Sequence, residues 1–214
     1  MKEEAKNPLQ HIFSFDVSPY TSSKDFEPGD ISTNEDEKIQ YLFYLVEGKA
    51  KLFVSHENGK TSLINFMEAP CLIGEMELLD CTKKTELVKA ISKCRCYQIQ
   101  LSECRHQILQ DKKFLLYLCT FLSNKAIQNT HKYVLNQSYP LRVRLASFII
   151  ETSINGYYRE PHTEAADFLG VTYRHLLFVF AQFVKEGILE KTTQGYHIVN
   201  TKKLLKCAHI SITQ

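Results

Sequence analysis

Three consecutive residues, Tyr173, Arg174 and His175, place a phenol, a guanidinium and an imidazole side by side with no acid next to them. Such groups donate to phosphates and base edges and stack on rings. Thr172 precedes them and reads as an N-cap, which makes the three the first turn of a helix. The surrounding stretch His162–Ala181, HTEAADFLGVTYRHLLFVFA, carries a matching framework. Ala166 allows a close helix approach, and Gly170 can take the positive φ of a tight turn. Leu176 and Val179 fill an apolar seam completed by Ala165, Leu169 and Val171. This spacing reads as a helix-turn-helix whose second helix points its first residues into a DNA major groove. A buried helical hairpin has the same apolar pattern, and the basic, aromatic first turn is what favours DNA.

Cysteine offers a second possible chemistry. Cys94 and Cys96 are two apart on a predicted strand and share a face. With Cys71 and Cys119 they make a set of four that could converge as an iron–sulfur ligand set or a redox switch. Buried cysteine acting as a small hydrophobe accounts for the same residues. Eight histidines and seven cysteines invite a Cys–His catalyst. No Gly-x-Ser-x-Gly, His-Glu-x-x-His or phosphate-loop motif accompanies them, so the reading is not an enzyme.

The elements that position these groups follow from texture. Residues 1–23 read as a short helix and a loop, and their charged start, MKEEAKNPLQ, has no apolar signal-peptide core. From Phe26 short β-type runs recur at Tyr41–Val46, Ala50–Ser55, Ser62–Phe66 and Cys94–Leu101. Pro28-Gly29-Asp30, Glu47-Gly48-Lys49 and Asn58-Gly59-Lys60 separate them, the last being a hairpin signal. Many short strands with glycine turns predict a jelly roll over residues 24–110. From Asp111 the period becomes helical through Phe114, Leu118, Phe121, Leu122, Ile127 and Val134, too long for a helix that only covers a roll. A long dimerisation helix over 111–136 is therefore expected, with a second copy along it. Asn136–Pro140 breaks it as a hinge, because Pro140 disfavours helix at Tyr139. A helix Leu141–Thr152 follows, with Arg142 and Arg144 placed where phosphates could lie. Gly187–Lys191 and Gly195–Val199 flank a Thr192-Thr193-Gln194 turn and read as a small wing, where Lys191 and Gln194 are candidates for backbone contact.

Charge agrees in a modest way. The chain of 214 residues carries a net +2, with +3 from Gln137 onward and −1 before it. The segment holding the helix-turn-helix is thus the basic one. No apolar run is long enough to span a membrane, and the cysteine usage suits a reduced, cytoplasmic setting.

In Ala69–Asp80, Asn136–Leu141 and Leu169–Leu177 the sequence resembles the CRP/FNR family of bacterial transcription regulators, and within it the YeiL-type branch. The likeness covers nearly the whole chain. It implies a cytoplasmic homodimer joined by the long helix, with double-stranded DNA and RNA polymerase as partners. Tyr173, Arg174 and Phe178 stand where this family reads base edges, with His175 reaching a phosphate. Arg174 replaces the glutamate of better-known members, and its default partner is guanine. In the cyclic-nucleotide-binding members a phosphate cassette resembles Gly74-Glu75 through Lys84-Thr85. There the glycine admits close backbone approach, the glutamate bonds a ribose hydroxyl, and an Arg-Ser pair holds the cyclic phosphate. Lys84 in place of that arginine gives a point charge without a bidentate fork, which argues against cyclic nucleotide and leaves the effector unknown.

The expectation is an α+β chain. It has an N-terminal segment 1–23, a cyclic-nucleotide-binding-like sensor β-roll 24–110, a dimerisation helix 111–136 and a winged helix-turn-helix domain 137–214 with its motif at 162–181. The expected function is sequence-specific DNA-binding regulation, with effector or redox control of the reading helices. The alternative is a cyclic-nucleotide-binding regulatory module acting through a protein partner.

Overall fold

The computed structural model describes residues 8–33, 37–57, 59 and 61–208. Residues 1–7 of the predicted N-terminal segment and Asn58 and Lys60 of the predicted hairpin turn lie outside that set. The chain divides into two compact units, Met1–Ala126 and Ile127–Gln214.

In the first unit two 3-10 turns, Pro8–His11 and Ser18–Tyr20, stand where a short helix and loop are expected. They lead to β1 (Thr21–Phe26), β2 (Ile31–Thr33), β3 (Tyr41–Glu47), β4 (Lys49–Ser55), β5 (Thr61–Glu68) and β6 (Cys71–Ile73). A one-turn α1 (Glu75–Leu79), then β7 (Leu87–Ala90), β8 (Cys94–Gln100) and α2 (Leu101–Gln110) complete the roll. Two four-stranded antiparallel sheets form, in the orders β1-β8-β3-β6 and β2-β7-β4-β5. β1 begins three residues before the predicted boundary, at Thr21 instead of residue 24. Its polar residues 22–25 are exposed, and pairing from Thr21 opposite Ile99 to Phe26 opposite Cys94 makes it a strand.

β3 shows why a roll can carry helices. Its central residues are buried on both faces, so it reads as an unbroken apolar run. Phe43 and Leu45 join Ala50, Met67, Val88, Cys94 and Cys96 between the sheets. Leu42 and Tyr44 face the other way, into a core with Ile108, Phe114 and Leu118. There Phe114 stacks on Phe13 with ring centroids 4.9 Å apart. Truncating such a fully buried ring costs about 3–5 kcal/mol.

Phe114 and Leu118 belong to α3 (Lys112–Ser138), a helix of 27 residues. It runs through Asn136–Ser138, and the break falls at Tyr139–Pro140, where the proline acts on the residue before it. The helix has two opposed faces. Phe114, Leu118, Phe121, Leu122 and Lys125 lie on one. Leu116, Thr120, Ser123, Ile127, Thr130 and Val134 recur at steps of three and four on the other, all exposed. That outer stripe contains no charged residue, and α3 contains no acid.

The second unit holds α4 (Leu141–Thr152), β9 (Tyr157–Tyr158), α5 (His162–Phe168), α6 (Tyr173–Lys185), β10 (Leu189–Thr192), β11 (Gly195–Ile198) and α7 (Thr201–Cys207). β10-β11-β9 is a three-stranded antiparallel sheet, so the wing gains a strand that the sequence pattern did not reveal. Leu145, Phe148 and Ile149 of α4 are buried as their spacing predicts, together with Leu176, Val179, Phe180 and Phe183 of α6. Arg142 and Arg144 are half-buried and bonded to groups of their own unit. Arg142 forks onto the Glu186 carboxylate, one of the two bonds being 2.9 Å, and lies 4.8 Å over the Phe183 ring. Arg144 donates to the Tyr139 and Leu169 carbonyls and to Asn136 Oδ1, tying helix ends together. Both guanidiniums are thus engaged within the unit.

Among the described residues no helix is long and apolar enough to cross a membrane.

Candidate nucleic-acid interface

α5 and α6 meet through small residues. Ala165 and Ala166 are buried, which lets the two helices approach closely. Gly170 has φ +62° with open space where a Cβ would stand, so the turn demands its conformation and not its small size. The Gly170 and Val171 N–H groups donate to the Asp167 and Ala166 carbonyls at 3.1 and 3.0 Å, closing α5. Thr172 Oγ1 accepts from the His175 N–H at 3.3 Å and starts α6 as its cap. Losing such a cap costs about 1 kcal/mol.

α6 is sharply two-sided. Leu176, Val179, Phe180 and Phe183 are buried. Arg174, Phe178, Ala181 and Lys185, at steps of four, three and four, form the opposite, exposed face. Tyr173 and Phe178 are 50% and 60% exposed. The helix therefore offers a row of cation, aromatic ring, small residue and cation to the outside. Lys185 was not singled out from sequence, although its spacing of 11 from Arg174 was the available signal.

The wing approaches the start of this row. Lys191 pairs with Tyr196 across β10 and β11, and Tyr196 pairs with Tyr158 on β9, so the three share one face of the sheet. His162, the first residue of α5, lies against them. Its ring stacks at 4.6 Å on Phe180 and 5.7 Å on Tyr196, and lies 6.3 Å from Tyr173. Burial, and then the Lys191 charge, push the imidazole below its usual range. The structure thus gathers Tyr173 and Lys191 around His162, a residue whose role was missed in the sequence. Arg174 and Phe178 extend along α6, and His175 is exposed on its first turn.

A second set of candidates lies on the roll. Gly74 has φ +92°, a conformation that favours glycine, and a Cβ there would displace the flexible end of Ile39, whose Cδ1 lies 2.1 Å from it. Glu75 follows at the start of α1 with a side chain only 3% exposed. Its Oε1 accepts from Lys125 Nζ of α3 at 2.6 Å. The Thr85 hydroxyl donates to the Glu37 carbonyl at 3.1 Å, and Lys84 is exposed. Glu75 and Thr85 are therefore engaged by the protein itself.

The cyclic nucleotide-binding domain family matches residues 23–111. Regulatory protein YeiL of Escherichia coli O157:H7 is 42% identical over 200 residues, 94% of this chain and 91% of its own length. The chain belongs to the CRP/FNR family, on its YeiL-type branch. At the level of that family it is a DNA-binding transcription regulator. Two solved structures share the fold at 16% identity each. One, assigned to the CRP/FNR family and from Eubacterium rectale, gives a TM-score of 0.77 over 90% of this chain and 92% of its own. The other, a CRP/FNR-family transcriptional regulator from Thermus thermophilus, gives 0.72 over 88% and 98%.

Within this CRP/FNR chain the cysteines do not assemble as four. Cys94 and Cys96 share a buried face as the spacing predicts, and Cys71 joins them in the inter-sheet core. Cys119 is exposed on α3. Among the described residues no three His, Cys, Asp or Glu side chains are arranged to hold a metal ion. Burial, with a smaller push from Glu75, raises the Cys71 thiol to about 12. Burial raises Cys96 to about 12 as well. With no metal beside them, these thiols are held in the neutral form.

Proposed function

We propose that the protein is a cytoplasmic, homodimeric, sequence-specific DNA-binding regulator. In this reading residues 24–110 are the sensor, 111–136 the dimerisation helix and 137–214 the DNA-binding domain. The observation that carries it is the outer row of α6, where Arg174, Phe178 and Lys185 stand in line behind the capped, aromatic first turn. Arg174 donates two bonds to guanine O6 and N7, while Tyr173 and Phe178 meet thymine methyls or sugar. His175, the Thr172 turn and Lys191 of the wing contact the phosphate backbone. The uncharged outer stripe of α3 supports pairing with a second copy, since Leu116, Ile127 and Val134 expose apolar surface along it. RNA polymerase is the further partner that the family implies.

The state of the roll sets the pose of the two reading helices. A cyclic nucleotide is disfavoured as the effector, because Glu75 is held by Lys125, the Thr85 hydroxyl donates to the Glu37 carbonyl, and the arginine position is Lys84. Selection of binding sequences from a random duplex library with the full chain tests the reading. Enrichment of two-fold-related half-sites about one helical turn apart is expected. Equal retention of all sequences would overturn it.

A further inference from the structure

His162 is a side chain of the second unit that the DNA-binding reading does not use. It begins α5, yet its ring lies against two elements of the wing and against the reading helix. Phe180 and Tyr173 come from α6, Tyr196 from β11 and Tyr158 from β9, at 4.6, 6.3, 5.7 and 6.4 Å between ring centroids. Phe180 and Tyr196 also stack on one another at 4.6 Å. Among the described residues no hydrogen bond fixes the imidazole, so ring contact alone holds it. The Tyr158 hydroxyl, fully buried, likewise makes no hydrogen bond. This cluster joins the first turn of α6 to the sheet of the wing through aromatic faces only.

We propose that His162 is a positioning residue that fixes Tyr173 of the reading helix relative to Lys191 of the wing, and that it does so as the neutral imidazole. The proposal rests on the DNA-binding reading above. Neutral imidazole is a flat, weakly polar ring and packs between Phe180 and Tyr196 as another aromatic would. An added proton places a cation in that partly buried stack beside the Lys191 ammonium. The groups facing the ring are Lys191 from β10, the phenols of Tyr158 and Tyr196 from β9 and β11, and that of Tyr173 from α6. Glu160 and Glu164, the nearby acids, act on the Tyr158 hydroxyl. Like-charge repulsion from Lys191 then pushes wing and reading helix apart. The two parts of the reading surface lose their fixed separation, and with it the advantage of the correct sequence over any other. General attraction to phosphate does not depend on that separation.

The readout is the ratio of affinities for a selected site and a scrambled duplex, measured by fluorescence anisotropy from pH 4.5 to 8 with the full chain. For the wild type the ratio is expected to fall at least threefold as pH drops below the usual histidine range. His162→Phe keeps the ring and cannot take a proton, so it should hold the ratio near the neutral-pH wild-type value throughout. His162→Ala should lower the ratio about tenfold at pH 7.5 while scrambled-duplex affinity changes less than twofold. A pH dependence that persists in His162→Phe would overturn the proposal, as would an unchanged ratio in His162→Ala. Failure of the wild type to prefer any sequence would overturn the DNA-binding reading itself, an outcome separate from either of these.

Discussion

Lys125 Nζ lies 2.6 Å from Glu75 Oε1, and the carboxylate it meets is almost wholly removed from water. Removing one partner of a buried pair leaves the other charge uncompensated. Lys125→Met is therefore expected to destabilise the protein by about 3 kcal/mol. The double variant Glu75→Gln/Lys125→Met should recover most of that loss, because no lone charge is left inside. Urea unfolding of the wild type, both single variants and the double variant decides it, and additive losses would show that the pair is not coupled.

Arg174 heads the exposed row of α6 and has no acid next to it in the chain. Replacement by alanine is expected to cost about 1–3 kcal/mol of discrimination between a selected operator and its mutated form. A gel-shift comparison at fixed salt checks this. Equal weakening on both duplexes would assign Arg174 to phosphate instead.

Ile127 is 54% exposed in the middle of the uncharged stripe of α3. Ile127→Glu places a charge in the proposed seam, and sedimentation should show a dimer becoming a monomer. The roll core does not include this side chain, so far-ultraviolet circular dichroism should be preserved. A dimer of unchanged stability would move the interface elsewhere.

Asp111 joins the start of α3 to the N-terminal segment. Its carboxylate accepts from the Ser14 N–H at 2.7 Å and the Lys113 N–H at 3.0 Å. Burial pushes the group upward, but these amides outweigh it and hold the carboxyl below its usual range. A lowered value stabilises the fold above the unfolded pKa, and that contribution fades as pH falls through the folded one. The difference in unfolding free energy between wild type and Asp111→Asn should thus be largest near neutrality. It should shrink below pH ~4, and a difference independent of pH would refute the assignment.

The buried thiols give a chemical check. Cys71, Cys94, Cys96 and Cys104 are buried, and burial raises all four, Cys104 to about 11. Native-state alkylation at pH 7.5 followed by peptide mass analysis should modify the exposed Cys81 and spare these four. Fast labelling of Cys71 or Cys96 would revive a redox role for the inter-sheet cysteines.

Local constraints were legible in the sequence; partners distant along the chain were not. Gly170, Thr172 and the paired alanines announce the helix-turn-helix because turn, cap and close approach each depend on one or two neighbouring residues. β3, β4 and β5 announce themselves by apolar texture and by the turns between them. β1 is polar over residues 22–25, and β9 is two residues long, so only their pairing defines them. The cradle was legible at Gly74-Glu75, but Lys125 lies 50 residues further on and nothing local marks it as the partner of Glu75. His162 was hidden for the same reason, since its neighbours come from four other elements of the unit. Arg142 and Arg144 show the converse: a basic residue on a helix reads alike whether it meets a phosphate or a carbonyl.

The ring cluster at His162 also has an optical consequence. The chain has no tryptophan and eleven tyrosines, so its near-ultraviolet emission is tyrosine emission alone. Tyr158, Tyr173 and Tyr196 are gathered at one imidazole, within 6.4 Å between ring centroids. A change in that imidazole, or the docking of a nucleic acid on Tyr173, alters the surroundings of several of the protein's own fluorophores together. The reading head therefore carries an intrinsic, label-free signal of its own state.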